Sequence, residues 1–274
     1  MNEILKERKG SVGYITLNRP EKHNAMNHEL VSALIEAMAN YDRDEQVHVI
    51  VIRGAGKSFC GGYDLSPDQK PYTTIPQWRE EGMMANRMDL SIWDSRKVVI
   101  ASVQGFCLAG GCDLMLSCDL TVAADNAVFS EPELEFSTHP SFLLLPYIVP
   151  LKEAKYMLFS GERFGAGDAK RLGMVNKVVP AEELEAETER LANKVAGMYG
   201  PAMELVKRSL NKKAELAGMR ELIYMSQESF SSSKVQPTEA TARFFEIAKK
   251  EGMQAAIRWR TAFFASGGAE ASQG

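Results

Sequence analysis

Several absences narrow what this chain does. Its 274 residues contain no apolar run approaching the roughly 20 residues that a membrane helix needs. The opening stretch MNEILKERKG lacks the apolar core of a secretion signal. Basic residues form no long block and the net charge is −4, so nucleic acid and anionic membrane are excluded as default partners. Isolated basic residues can still hold a small phosphate-bearing molecule. Cysteine is scarce, and Cys60, Cys107, Cys112 and Cys118 lack CxxC spacing. They read as small buried thiols in a reducing cytoplasmic setting, the alternatives being a metal site or a redox pair. The four histidines form no ligand cluster, so no metal is expected.

What is present is an ordinary globular balance, 45% apolar and 25% charged, enough for a sizeable core. Residues 11–18, SVGYITLN, alternate and read as a strand. Residues 28–44 carry Leu30, Leu34, Ala37, Met38 and Tyr41 at helical spacing. VHVIVIRG and KVVIASVQG are β-branched runs suited to strands buried on both faces. A polar helix is expected over 77–96, and LTVAADNAVFS gives a strand and a turn. EPELEFSTHPS reads as a loop, and 143–161 as helix broken near Pro146 and Pro150. DAKRLGMVNKVVP is a short helix returning to a strand. Beyond Pro180 the pattern is helical over 181–199, 201–217, 219–230, 237–250 and 252–264. Alternating strands and helices imply an α/β body with right-handed crossovers. The helical remainder exposes Leu205, Leu210, Phe244, Phe245, Trp259, Phe263 and Phe264, which must bury against the body or another subunit.

Two glycine loops, SFCGGYD and CLAGGCD, each follow a buried strand. In an open α/β sheet, ligands sit at the carboxyl ends of strands. Two backbone N–H groups converging there would bind a carbonyl oxygen and its developing charge. The plainer alternative is that the glycines make tight turns and close helix–strand packing. Neither loop has the GxGxxG pattern or ends in Gly-Lys-Ser/Thr.

The combination is more specific than either loop. ITLNRPEKHNAMN, GKSFCGGYDL, ASVQGFCLAGGCDLMLSCDLTVAADNAVFSEPE, SGERFGAGDAKRLGMVNKVVP and KEGMQAAI resemble, in order and spacing, the enoyl-CoA hydratase/isomerase, or crotonase, family. The resemblance implies an α/β fold of ββα units wound into a spiral over 1–198. It also implies a C-terminal helical region, 199–266, that mediates trimerisation and covers part of the active site. Residues 267–274 are expected to be a disordered tail. A homotrimer or dimer of trimers follows, with acyl-CoA as substrate and no tightly bound cofactor.

The implied site has an oxyanion hole from the backbone N–H of Tyr63 and of Gly110. Glu133 and Asp113 are the catalytic acids, placed across the substrate's α and β carbons. Glu131 and Glu135 flank Glu133, either sharing its face or as solvated loop acids. CoA-binding candidates are Lys22, Asn24, Ala25, Met26, Cys60, Gly61, Asp64 and Leu65. Lys249, Lys250 and Arg260 are candidates for its 3′-phosphate or else solvated basic faces. Tyr72, Trp78, Met83, Met84 and Met88 build either the acyl pocket or helix packing. His139 and Ser141 are accessory candidates, His139 being otherwise a packing residue.

The chain departs from the family at two places. Hydratases usually carry Glu where Asp113 stands. Asp there occurs in the dienoyl-CoA isomerase branch, whose further Asp falls at Ser141 here. The glycine-rich loop of the hydratases is STHPSFL in this chain, with Ser137, Ser141 and Leu143 in place of glycines. The reading from these residues is reversible syn hydration of a 2-enoyl-CoA. Double-bond isomerisation, decarboxylation, hydrolysis and an inactive acyl-CoA-binding scaffold are the alternatives.

Overall fold

Strand alternation sets up two cores, one on each face of a sheet. The computed structural model describes residues 2–66, 72–198, 200–236 and 238–267. β1 (Ile4–Lys9) and β2 (Val12–Leu17) form an antiparallel pair. α1 (His28–Arg43) follows, capped by Asn27, whose side chain accepts from the Leu30 N–H at 2.9 Å. Next come β3 (Val49–Gly54), α2 (Ile75–Trp93), β4 (Val98–Val103), β5 (Phe106–Leu108) and α3 (Gly110–Leu116). β6 (Leu120–Ala124), β7 (Val128–Ser130), α4 (Leu145–Ile148), α5 (Leu151–Ser160), β8 (Phe164–Gly165), α6 (Ala166–Arg171) and β9 (Lys177–Val179) complete the strands. Helices finish the chain: α7 (Leu184–Ala196), α8 (Gly200–Leu216), α9 (Met219–Ser233), α10 (Glu239–Glu251) and α11 (Met253–Ala265).

The larger sheet has the order β1-β2-β3-β4-β6-β9, parallel except for β1. Ile50 and Ile52 join the main core with α1, α2 and α3, while Val49 and Val51 pack on the α7 side with Ala192. This two-sided burial explains why β3 reads as a continuous apolar run. The smaller sheet has the order β5-β7-β8, and a backbone β-bridge pairs Cys107 of β5 with Cys60 in the loop after β3.

Several expectations change. β1 was not expected, because only Ile4 of its six residues is buried and the others show no alternation. β5 and β8 span three and two residues, too short to carry a period. LTVAADNAVFS forms two strands rather than one. The 131–141 segment contains a 3-10 turn, Glu133–Phe136. Pro146 opens the first turn of α4 instead of breaking a helix, and the break falls at Val149–Pro150. The expected tail lies outside the described residues beyond Gly267.

Candidate active site

One buried side chain ties the first loop to the second. Asn24 donates to the carbonyls of Ala55 (2.9 Å), Ser58 (2.8 Å) and Phe59 (3.2 Å), and accepts from the Arg19 N–H at 2.9 Å. The chain then zips onto β5: the Cys60 N–H donates to Phe106 and the Leu108 N–H to Cys60. On its other edge, the Met26 N–H donates to Gly62 and the Asp64 N–H to Met26. In a parallel ladder such bonds engage alternate residues of one strand. The Tyr63 N–H therefore points away from Met26, and among the described residues it has no protein acceptor. The same is true of the Gly110 N–H in the first turn of α3.

The glycines are fixed by close approach. A Cβ on Gly110 would stand 2.4 Å from the Tyr63 ring and 3.0 Å from the Met26 methyl. One on Gly111 would stand 2.5 Å from the Cys60 carbonyl. The glycine pair thus lets α3 start against the loop that carries Tyr63. Ala109, just before it, has φ 51° and ψ −130°, a strained backbone for a residue with a Cβ. Both Ala109 and Gly62, at φ 95°, turn the chain where the two loops meet.

Four acids lie buried behind these loops: Asp89, Asp113, Glu131 and Glu133. Burial first, then Asp89 and Glu133, push Asp113 well above the ordinary carboxylate range. Burial does the same to Asp89, neither of whose oxygens has a hydrogen-bond partner among the described residues. Glu131 is raised by burial and by Glu133, to which its carboxyl group is hydrogen-bonded. Glu133 is lifted by burial to about 7, opposed by its backbone hydrogen bond and by the one to Glu131. The two carboxyl groups therefore titrate as an interacting pair, with Glu133 the member that reaches about 7. Lys234, following α9, faces Glu133 and Glu81; burial lowers it to about 8.

Asp113 and Glu133 thus lie in one buried cluster. Glu131 joins them rather than sitting in solvent. Glu135 does not: it pairs with Arg260 at 3.2 Å. Arg260 is removed from the phosphate candidates, because it is 8% exposed and stacked 3.9 Å over Phe136. Lys249 is exposed; Lys250 is exposed and paired with Glu246 at 2.7 Å. Lys22 is exposed but bound to Asp64 (3.1 Å) and Ser66 (2.9 Å).

Asp64 would be raised by burial, but hydrogen bonds from Ser66, Arg19 and Lys22 hold it down to about 2. The Gly61 N–H donates to His23, and the Ala25 carbonyl accepts from Arg19. Cys60 is buried, with its thiol pushed up to about 12 by burial. Leu65 packs against the α10–α11 cluster. His139 Nδ1 lies 2.8 Å from the Pro140 carbonyl, and the His139 N–H donates to Ser233 Oγ at 3.1 Å. Ser141 is buried. Met88 belongs to the core, whereas Met83 is exposed.

The sequence reading missed Asp89 and Lys234. Asp89 had a signal: it lies on the stripe Ala85, Met88, Ile92, where a helix buries its apolar face. Lys234 had none, because its surroundings exist only once α9 packs on α2.

The fold and sequence can be set beside known proteins. The family profile described as enoyl-CoA hydratase/isomerase matches residues 7–253. The chain is 32% identical over 261 residues to a short-chain-enoyl-CoA hydratase of Clostridium acetobutylicum, covering 93% of this chain and 98% of that protein. It is 33% identical over 213 residues to a crotonyl-CoA hydratase of Syntrophomonas wolfei, covering 76% and 81%. Its structure matches an enoyl-CoA hydratase/isomerase from Xanthobacter autotrophicus Py2 at TM-score 0.91 and 36% identity, covering 95% and 97%.

Proposed function

Since the chain belongs to the enoyl-CoA hydratase/isomerase family, we propose that it adds water across the 2,3-double bond of an enoyl-CoA. The observation that carries this reading is the pair of unpartnered N–H groups, Tyr63 and Gly110, in front of a buried acid cluster. The two N–H groups bind the thioester oxygen. Glu133, as carboxylate, takes a proton from water while the water oxygen bonds to Cβ. The double-bond electrons move onto the thioester, giving an enolate that the N–H pair stabilises. Asp113, held protonated by its surroundings, delivers a proton to Cα. Exchange with solvent resets both acids. Ser141 does not titrate, so the second acid of the dienoyl isomerase pattern is missing, which favours hydration.

CoA would run over residues 22–26 and 60–65, with Lys22 nearest solvent. Exposed Leu205 (62%), Leu210 (66%), Phe159 (73%) and Met225 (64%) support self-association as a trimer or dimer of trimers. A monomer in sedimentation at micromolar concentration would sink that part. The four cysteines are free and buried, which suits the cytoplasm.

The primary test is hydration of crotonyl-CoA, followed as loss of the conjugated enoyl absorbance. Tight acyl-CoA binding without turnover would overturn the reading in favour of a scaffold. The acid limb gives a second check. Glu133 works only as carboxylate, so kcat/KM should rise as pH climbs through about 7 and then level off. A profile flat from pH 5.5 to 8 (roughly the range its pKa divides) would remove Glu133 as the base.

A further inference from the structure

Two buried or half-buried hydrogen-bond donors near the acid cluster have nothing to donate to. Lys234 Nζ sits over the Trp78 ring at 5.0 Å and the Phe230 ring at 5.4 Å. The two acids that face it, Glu133 and Glu81, attract it through space without reaching ion-pair distance, and Glu81 also accepts from Tyr72 at 3.2 Å and lies 3.4 Å from His28. No carboxylate of the described residues forms an ion pair with the ammonium. The second donor is the indole N–H of Trp78, buried and without an acceptor among the described residues. Tyr72 packs edge-on to Trp78 at 5.1 Å, and Phe230 at 6.0 Å, so the group is walled by aromatic rings. Tyr72 and Glu81 also line a cavity of about 510 Å³ with His28, Met83, Met84 and Arg87.

The position is fixed from several sides. Lys234 ends α9, whose Gln227 and Phe230 pack on Gly82 of α2 at spacings that admit no larger residue there without a shift. Ser233, its neighbour, holds the His139 N–H and so ties this corner to the loop after Glu133. A plain alkyl tail would leave both donors unanswered, and unmet buried donors are costly. A carboxylate would answer both, since it accepts through two oxygens and carries the charge that complements an ammonium.

We propose that Lys234 and the Trp78 indole form a subsite for a carboxylate at the far end of the acyl chain, so that the preferred substrates are enedioyl-CoA thioesters. This rests on the hydration reading for its chemistry, though not for its binding. Two other cations near cavities or aromatic rings are already occupied. Arg79 is already paired with Glu228 through two hydrogen bonds of 2.8 and 2.6 Å. In a second cavity, about 430 Å³ beside α7, Arg53 is paired with Glu7 and Glu185.

The test compares substrates matched in chain length, with and without the terminal carboxylate: pent-2-enoyl- against pent-2-enedioyl-CoA, and hex-2-enoyl- against hex-2-enedioyl-CoA. In the unaltered protein, kcat/KM should favour the diacid by about tenfold or more at one of the two lengths. In Lys234→Met that ratio should fall to about one. A general loss of folding or of Glu133 reactivity would depress both members of a pair and leave the ratio alone. A ratio at or below one at both lengths, or one unmoved by the substitution, overturns the proposal. Calorimetric titration with saturated hexanoyl-CoA and adipoyl-CoA reads the subsite without turnover. Tighter adipoyl binding lost in Lys234→Met sustains it even if hydration fails; equal affinities refute it.

Discussion

Glu133→Gln should lower kcat for crotonyl-CoA by about a thousandfold, with circular dichroism and acyl-CoA affinity nearly unchanged. The amide keeps the size and hydrogen-bonding ability of the carboxyl group but cannot take a proton from water. Glu133 lies in the first turn of the Glu133–Phe136 3-10 segment, which α10 covers through contacts such as Phe136 against Phe244 at 5.3 Å. The backbone is thus held independently of the carboxylate. Gln also relieves the demand on Glu131 to remain protonated, so the variant should fold at least as well as the parent. Retention of a tenth or more of the parent kcat would assign the base elsewhere, with Asp113 the next acid to test.

Gly110→Ala should cost about a hundredfold in kcat. The new methyl would stand 2.4 Å from the Tyr63 ring and 3.0 Å from Met26, both flanking the place where the two N–H groups meet. Either the ring swings aside or α3 retreats, and each separates the donors. The compensating change is Tyr63→Ala, which removes the obstructing ring yet keeps the backbone N–H. The double variant should therefore outperform Gly110→Ala alone, a coupling that independent sites would not show. If the double variant is no better than the single one, the ring is not what sets the spacing of the loops. If Gly110→Ala is fully active, the oxyanion role of this turn is lost.

Much of this was legible in the chain, for reasons that differ by element. α1 announced itself because Leu30, Leu34 and Met38 recur at helical spacing. β3 and β4 were plain because both faces are covered and each opens with four apolar residues in a row. β1 was illegible: its five outer residues are exposed and unpatterned, and it gains its structure from pairing with β2. The two glycine loops pointed to a ligand, but only the atoms show that Gly110 yields to the Tyr63 ring and Gly111 to the Cys60 carbonyl. Asp113 and Glu133 were singled out through the resemblance. Glu131 stayed open between the same face and solvent, because a loop acid reads alike in both, and Lys234 meets Trp78 only through helix packing distant in sequence. Arg260 misled for the same reason. Nothing in a basic helix discloses that one of its arginines is folded inward onto Phe136.

The crowd of acids also governs how the fold responds to its medium. Asp89, Asp113 and Glu131 keep their protons well above the ordinary carboxylate range, whereas an unfolded chain releases them near pH 4. Folding at neutral pH is therefore accompanied by proton uptake at these positions. By linkage, their contribution to stability is complete below the unfolded values and drains away as the solution becomes more alkaline through the folded ones. The native state is correspondingly weaker at alkaline pH, and what it retains in return is a buried, proton-loaded cluster of carboxyl groups.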